Sequence, residues 1–138
     1  MIRVIDLNEA SPLAVDAGMR SIFAIGRVTT WPLSPLLGTE ELKINAVQFD
    51  AGARFRPHIH RYDQILYYVY GTGVVAIDGG DDILVPTGQY VMLPANTVQM
   101  HGCTEDGPAM HISMMRDTLT SFDVECPPTW IRYQKESA

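Results

Sequence analysis

Cysteine is scarce in this chain: Cys103 and Cys126 are the only two in 138 residues. That is too few for the disulfide framework of a small secreted domain, so a reducing, cytoplasmic setting is the expectation. Positive charge is also in short supply. Ten Lys and Arg stand against sixteen Asp and Glu, a formal net charge of -6. With no basic run to neutralise a phosphate backbone, nucleic acid is not an expected partner. Nowhere do about eighteen apolar residues run together, and the opening M-I-R-V-I-D-L-N lacks the apolar core and small-residue cleavage site of a signal peptide. A membrane partner is therefore not expected either. Convincing helical periodicity is missing too, which turns attention to strands.

What is present is enough for one core. At 138 residues, 46% hydrophobic and 19% charged, the chain reads as a single globular domain that can bury a core without disulfides. β-forming runs are expected at Ile2–Leu7, Ser21–Trp31, Leu42–Phe49, Phe55–His60, Ile65–Tyr70, Val74–Ile77, Ile83–Val85, Tyr90–Leu93, Val98–Cys103, Ala109–Met115 and Thr129–Gln134. Turn residues separate them, among them Asp50-Ala51-Gly52, Asp78 to Asp82, Pro86-Thr87-Gly88 and Pro94-Ala95-Asn96. Short strands at intervals of about eight to twelve residues predict an all-β sandwich or barrel. Ile65–Tyr70 is apolar on both faces, as a strand is between two sheets or between a sheet and a partner subunit.

The chemistry concentrates in G-A-R-F-R-P-H-I-H-R-Y-D-Q-I-L-Y-Y-V-Y-G, from Gly52 to Gly71. In an extended segment, His58 and His60 point to the same side. Gln64 follows four residues later. Two imidazoles and an amide oxygen suit a transition metal. Further ligands must come from another strand, where Gln99, His101 and His111 are the candidates. Gln99 and His101 share a face but lie about 6 to 7 Å apart along it. Three arrangements stay open: Gln99 ligates, the metal shifts toward His101, or the site is empty. Arg56, on the parity of the histidine pair, is a candidate substrate clamp at the pocket mouth.

The Gly52–Gly71 stretch resembles the first motif of the cupins, G-x5-H-x-H-x3-E-x6-G, with Gln64 in place of the glutamate. The second cupin motif, G-x5-P-x-G-x2-H-x3-N, is matched at Gly88 and Pro94. Asn96 stands for the turn glycine and Gln99 for the ligating histidine. V-Q-M-H-G-C, followed by A-M-H-I, is similar to a subgroup of small cupins carrying H-x-H-x3-Q and then H-W-H-G, some of them manganese-containing hydroxynitrile lyases. The resemblance runs from Gly26 to Met115. It implies a double-stranded β-helix or jelly-roll barrel, one cupin domain over residues 1–138 with its barrel core at about 40–115. By position, it places His58, His60, Gln64 and Gln99 in the metal shell and makes His101 and His111 the catalytic pair. The implied cofactor is a divalent transition metal (manganese, iron, nickel or zinc), the implied partners a small-molecule substrate and a second copy in a homodimer. The expected function is a metal-dependent enzyme of lyase, decarboxylase or dioxygenase type, in which the metal polarises the substrate and His101 moves protons. The alternative is a non-catalytic small-molecule-binding cupin with a weak or vacant metal site.

Overall fold

The computed structural model describes residues 1–14, 20–116 and 119–134. Its strands are β1 (Leu13–Ala14), β2 (Ala24–Ile25), β3 (Val28–Pro32), β4 (Lys43–Phe49), β5 (Arg54–Phe55), β6 (Ile59–His60) and β7 (Gln64–Tyr70). They continue as β8 (Gly73–Ile77), β9 (Ile83–Val85), β10 (Tyr90–Leu93), β11 (Gln99–Cys103), β12 (Ala109–Met115) and β13 (Thr120–Ser121). Two sheets dominate. One has six strands in the order β1-β3-β4-β12-β7-β10, the other five in the order β2-β5-β11-β8-β9, while β13 and β6 form a small third ladder. Every pairing is antiparallel. From β7 on, β7, β10 and β12 join the six-stranded sheet and β8, β9 and β11 the five-stranded one. The mostly-β sandwich or barrel expected from the strand spacing is thus a jelly roll, as the resemblance implies.

Several runs come out differently. No strand forms over residues 2–7; a 3₁₀ turn occupies Leu7–Glu9, because Asp6 caps Asn8 and the Glu9 carboxylate returns to the Asp6 amide. The run 129–134 is a 3₁₀ helix, Pro128–Tyr133, whose entry suits proline at the first turn. Among the described residues, two single-turn α-helices, Arg20–Phe23 and Ser34–Leu37, also fall between strands. Phe55–His60 is broken in two, since Pro57 has no N–H for a ladder.

One end of the barrel is closed by Val28, Phe49, Leu66, Tyr68, Val75, Val85, Leu93 and Cys103, all buried. The Tyr68 hydroxyl crosses from β7 to donate to the Gly102 carbonyl on β11 at 2.8 Å, tying the two sheets. Gly73 makes room for that ring; a Cβ there would lie 2.0 Å from it. The motif glycines Gly52 and Gly71 both turn the chain with φ of 73°. Asn96 also takes a left-handed conformation, φ 59°, as its place in the turn requires.

The outward face of the six-stranded sheet is apolar along two rows. Tyr90, Tyr67, Ile112, Ala46 and Trp31 are successive cross-strand partners, as are Met92, Ile65, Met114 and Ile44. Tyr67 and Tyr90 stack at 4.5 Å, and Tyr90, Met92 and Ile65 are exposed. Ile65–Tyr70 thus buries one face in the barrel and presents the other to the surface.

Candidate metal centre

The open end of the barrel is built around a backbone irregularity. Gly102 pairs with Arg54 and Gln99 with His58, so three steps along β11 face four along the first-motif segment. The extra residue is a bulge of the kind that re-aims side chains. It turns Phe55 into the cavity and takes Arg56 out of it. The expected substrate clamp is thereby displaced: Arg56 lines a separate cleft and donates to the Tyr133 carbonyl at 2.7 Å. Equal parity with the histidines holds only for a regular ladder, and the bulge removes that condition.

His58, His60 and His101 come together. Their ligating nitrogens lie within 4.8 Å of one another, and all three rings are buried. His58 and Gln99 are direct backbone partners, with N–H···O bonds of 3.0 and 2.8 Å. His101 is therefore the diagonal neighbour of His58, a position from which a large side chain can reach across. The His58 ring centroid is 5.0 Å from both His60 and His101. Of the three arrangements left open by the sequence, this grouping matches a site shifted toward His101.

Hydrogen bonds orient the rings. His58 Nδ1 lies 2.7 Å from the Arg56 carbonyl, which can only accept, so Nδ1 carries the proton and Nε2 is left with its lone pair. His60 Nδ1 faces the Leu119 carbonyl at 3.4 Å and the Thr120 hydroxyl at 3.1 Å. Through these contacts β13 braces β6 and frees His60 Nε2. His101 Nδ1 sits 3.3 Å from His111 Nε2, while His101 Nε2 is buried without a hydrogen-bond partner. Metal-binding histidines typically hold their second nitrogen in such a bond.

Burial keeps the rings neutral. It pushes His58 down to about 3 despite the opposing bond to Arg56, and His111 down to about 3 as well. His101 lies well below the usual histidine value, through burial first and then the neighbouring histidines, and burial also lowers His60. Neutral imidazoles offer lone pairs without proton competition at neutral pH.

The two glutamines diverge. Gln64 Nε2 donates to the Ser113 hydroxyl at 2.8 Å, and its Oε1 is buried with no partner on the cavity wall. Gln99 is fully buried, neither amide atom has a hydrogen-bond partner among the described residues, and its side chain is not among those lining the cavity. An unpartnered buried lone pair is a cost that a cation would remove, and for Gln64 the geometry offers that cation a place. The donor set fits a borderline ion: three converging imidazole nitrogens, with an amide side chain lining the same cavity.

The cavity of about 490 Å³ is completed by residues the motifs did not single out: Thr30, Asn45 and Ser113 on one wall, Phe23, Phe55 and Phe122 on another. Asn45 and Ser113 share the inward parity of Val47 and His111, a signal the strand alternation carried. Phe122 and Thr120 arrive from the C-terminal segment, where no spacing announces them.

Known proteins agree on the fold. The family model described as Cupin domain matches residues 45–115. No curated protein matches the chain. Among solved structures, a cupin-like protein from Thermotoga maritima is 23% identical with a TM-score of 0.68, covering 83% of this chain and 90% of that one. A sugar phosphate isomerase of the cupin superfamily from Silicibacter pomeroyi is 18% identical, TM-score 0.71, covering 84% and 76%. A polyketide cyclase from Streptomyces resistomycificus is 13% identical, TM-score 0.72, covering 94% and 91%.

Proposed function

Since the chain belongs to the cupin domain family, we propose that it is a metal-dependent enzyme acting on a small organic molecule, with His58, His60 and His101 as protein ligands to a divalent first-row ion. Gln64 Oε1 is the fourth ligand in this reading, and Gln99 is left out of the shell. The observation that carries it is the convergence of three ring nitrogens within 4.8 Å, each ring with its opposite nitrogen hydrogen-bonded to the protein. When bound, the ion polarises a carbonyl or hydroxyl oxygen as a Lewis acid. The chain's own groups bind and orient. Arg56 O and β13 fix the first two rings, while His111 holds His101 by accepting from its Nδ1. His111 is a positioning residue here, because burial that keeps it neutral suits a hydrogen-bond partner better than a resident acid. The expectation that His101 itself moves protons gives way to ligation.

The reaction type follows from neither fold nor donor set: a sugar phosphate isomerase and a polyketide cyclase share this architecture. One observation favours the non-catalytic alternative. Three imidazoles and an amide carry no negative charge, so metal retention is weaker than with a carboxylate in the shell. Cobalt uptake tests the reading. Wild-type protein should take up about one cobalt per chain with visible absorption bands, and His60→Ala should not; a wild type that stays metal-free after reconstitution contradicts it.

The outer apolar rows support a homodimer. They contain no charged residue and cross five strands, about 20 Å at the usual strand spacing. Two copies carrying six negative charges each meet most readily on an uncharged, self-complementary face.

A further inference from the structure

Among its described residues, the cavity is lined by no Asp, Glu, Lys or Arg. Its only titratable side chains are the four histidines, three of which are the ligands of the metal reading and the fourth a neighbour of His101. Two ligand classes are disfavoured at once. An ammonium group meets no carboxylate, and a phosphate or second carboxylate meets no guanidinium or ammonium. The one place for ligand charge would be the ion of the metal reading, whose neutral donors would leave its positive charge unbalanced. A ligand's charged group is therefore an anion on the metal, and the rest of the molecule is uncharged.

The walls describe that remainder. Phe23, Phe55, Phe122, Val47 and Met115 offer apolar surface. Polarity returns on the six-stranded sheet, where Asn45 and Ser113 are direct cross-strand partners and Thr30 sits diagonally from Asn45, opposite Val47. Ser113 is engaged by Gln64. The side chains of Thr30 and Asn45 make no hydrogen bond to the described residues, so an amide and a hydroxyl face the cavity uncommitted. Both are half-buried. A ligand that covered them without pairing would cut them off from solvent at a cost, whereas one with a neutral donor or acceptor would satisfy them.

Building on the metal reading above, we propose that the substrate is a compact monoanionic oxygen chelator, an α-hydroxy or α-oxo acid or an enolisable carbonyl, with an aryl or alkyl body and a neutral polar group at its far end. Thr30 and Asn45 are the specificity-determining residues for that far group. Sugar phosphates, amines and dicarboxylates fall outside the class.

The test uses full-length protein loaded with cobalt, whose visible bands report ligand binding without turnover. Four probes are compared: 4-hydroxymandelate, mandelate, 4-carboxymandelate and mandelamide. 4-Hydroxymandelate should bind tightest, and 4-carboxymandelate and mandelamide at least about tenfold more weakly. Asn45→Leu, which keeps volume, and Thr30→Val should each weaken 4-hydroxymandelate about fivefold, the worth of one neutral hydrogen bond, and leave mandelate within twofold. Equal binding of 4-carboxymandelate, or equal losses for both probes in both variants, overturns the proposal. Failure of cobalt uptake overturns the metal reading and the anionic head with it. The far subsite is then read in metal-free protein by thermal shift: 4-cresol should stabilise wild type more than Asn45→Leu, with toluene indifferent to the change, and no such difference overturns that part too.

Discussion

The two faces of the six-stranded sheet carry opposite chemistry, and in an unusual sense. Toward the cavity the same strands present Gln64, His111, Ser113, Asn45 and Thr30; toward the outside they present Tyr67, Tyr90, Ile65, Met92, Met114 and Ile44. An antiparallel sheet with one solvated face ordinarily puts apolar residues inside and polar ones outside. The inversion is local. Deeper in the barrel the inner face reverts to Phe49, Leu66 and Tyr68, all fully buried. Polar residues gather inside only where a ligand can satisfy them, and apolar residues line the outside where another surface can cover them.

The comparison can be broken from either side. The largest expected effect is on the outer face: Ile65→Lys with Tyr90→Lys should weaken self-association at least about a hundredfold, read by sedimentation, because each dimer would bury four unpaired ammonium groups. Cobalt uptake should be unchanged, and a dimer that survives places the interface elsewhere. Next comes acid. The buried histidines have folded-state values below the unfolded 6.5, so the unfolded chain binds more protons and stability rises with pH. Metal-free protein should hold its full stability above about pH 6.5 and lose it as pH falls toward 3. The slope is about 1.4 kcal/mol per pH unit for each histidine that stays neutral when folded, and a melting temperature flat from pH 7 to 5 would contradict it.

Smaller effects sharpen the inner face. Gln64→Glu places a carboxylate beside Ser113 in the cavity wall and should raise metal affinity about tenfold, measured by chelator competition; no gain would remove Gln64 from the shell. Gln99→Met replaces two unpartnered buried polar groups with apolar surface of similar volume and should stabilise the protein by about 1 kcal/mol in urea titration. A clear loss would show that Gln99 has a partner when the protein is loaded.

Much of this was legible in the residues. Ile83–Val85, Tyr90–Leu93 and Ala109–Met115 have the ends that the sequence predicts, because β-rich runs next to turn residues such as Pro86, Gly88, Pro94 and Pro108 leave little choice. The pairing of His58 with His60 followed from strand parity. Two kinds of feature did not follow. Position-by-position transfer of the second motif pointed to Gln99, but a bulge near Pro57 changes which residue of β11 reaches the pair. The same bulge withdraws Arg56. Phe122 and Thr120 join the site only through tertiary docking of a segment with no period of its own, and Pro128–Tyr133 reads as a strand in the sequence but is a 3₁₀ helix, because its Thr, Trp, Ile and Tyr are all β-formers.

The central claim is that His101, and not Gln99, completes the histidine cluster. Metal content after cobalt reconstitution, compared across wild type, Gln99→Met and His101→Ala, tests it most directly. About one cobalt per chain in wild type and Gln99→Met, with almost none in a folded His101→Ala, is the predicted result. Retention by His101→Ala together with loss by Gln99→Met would contradict it.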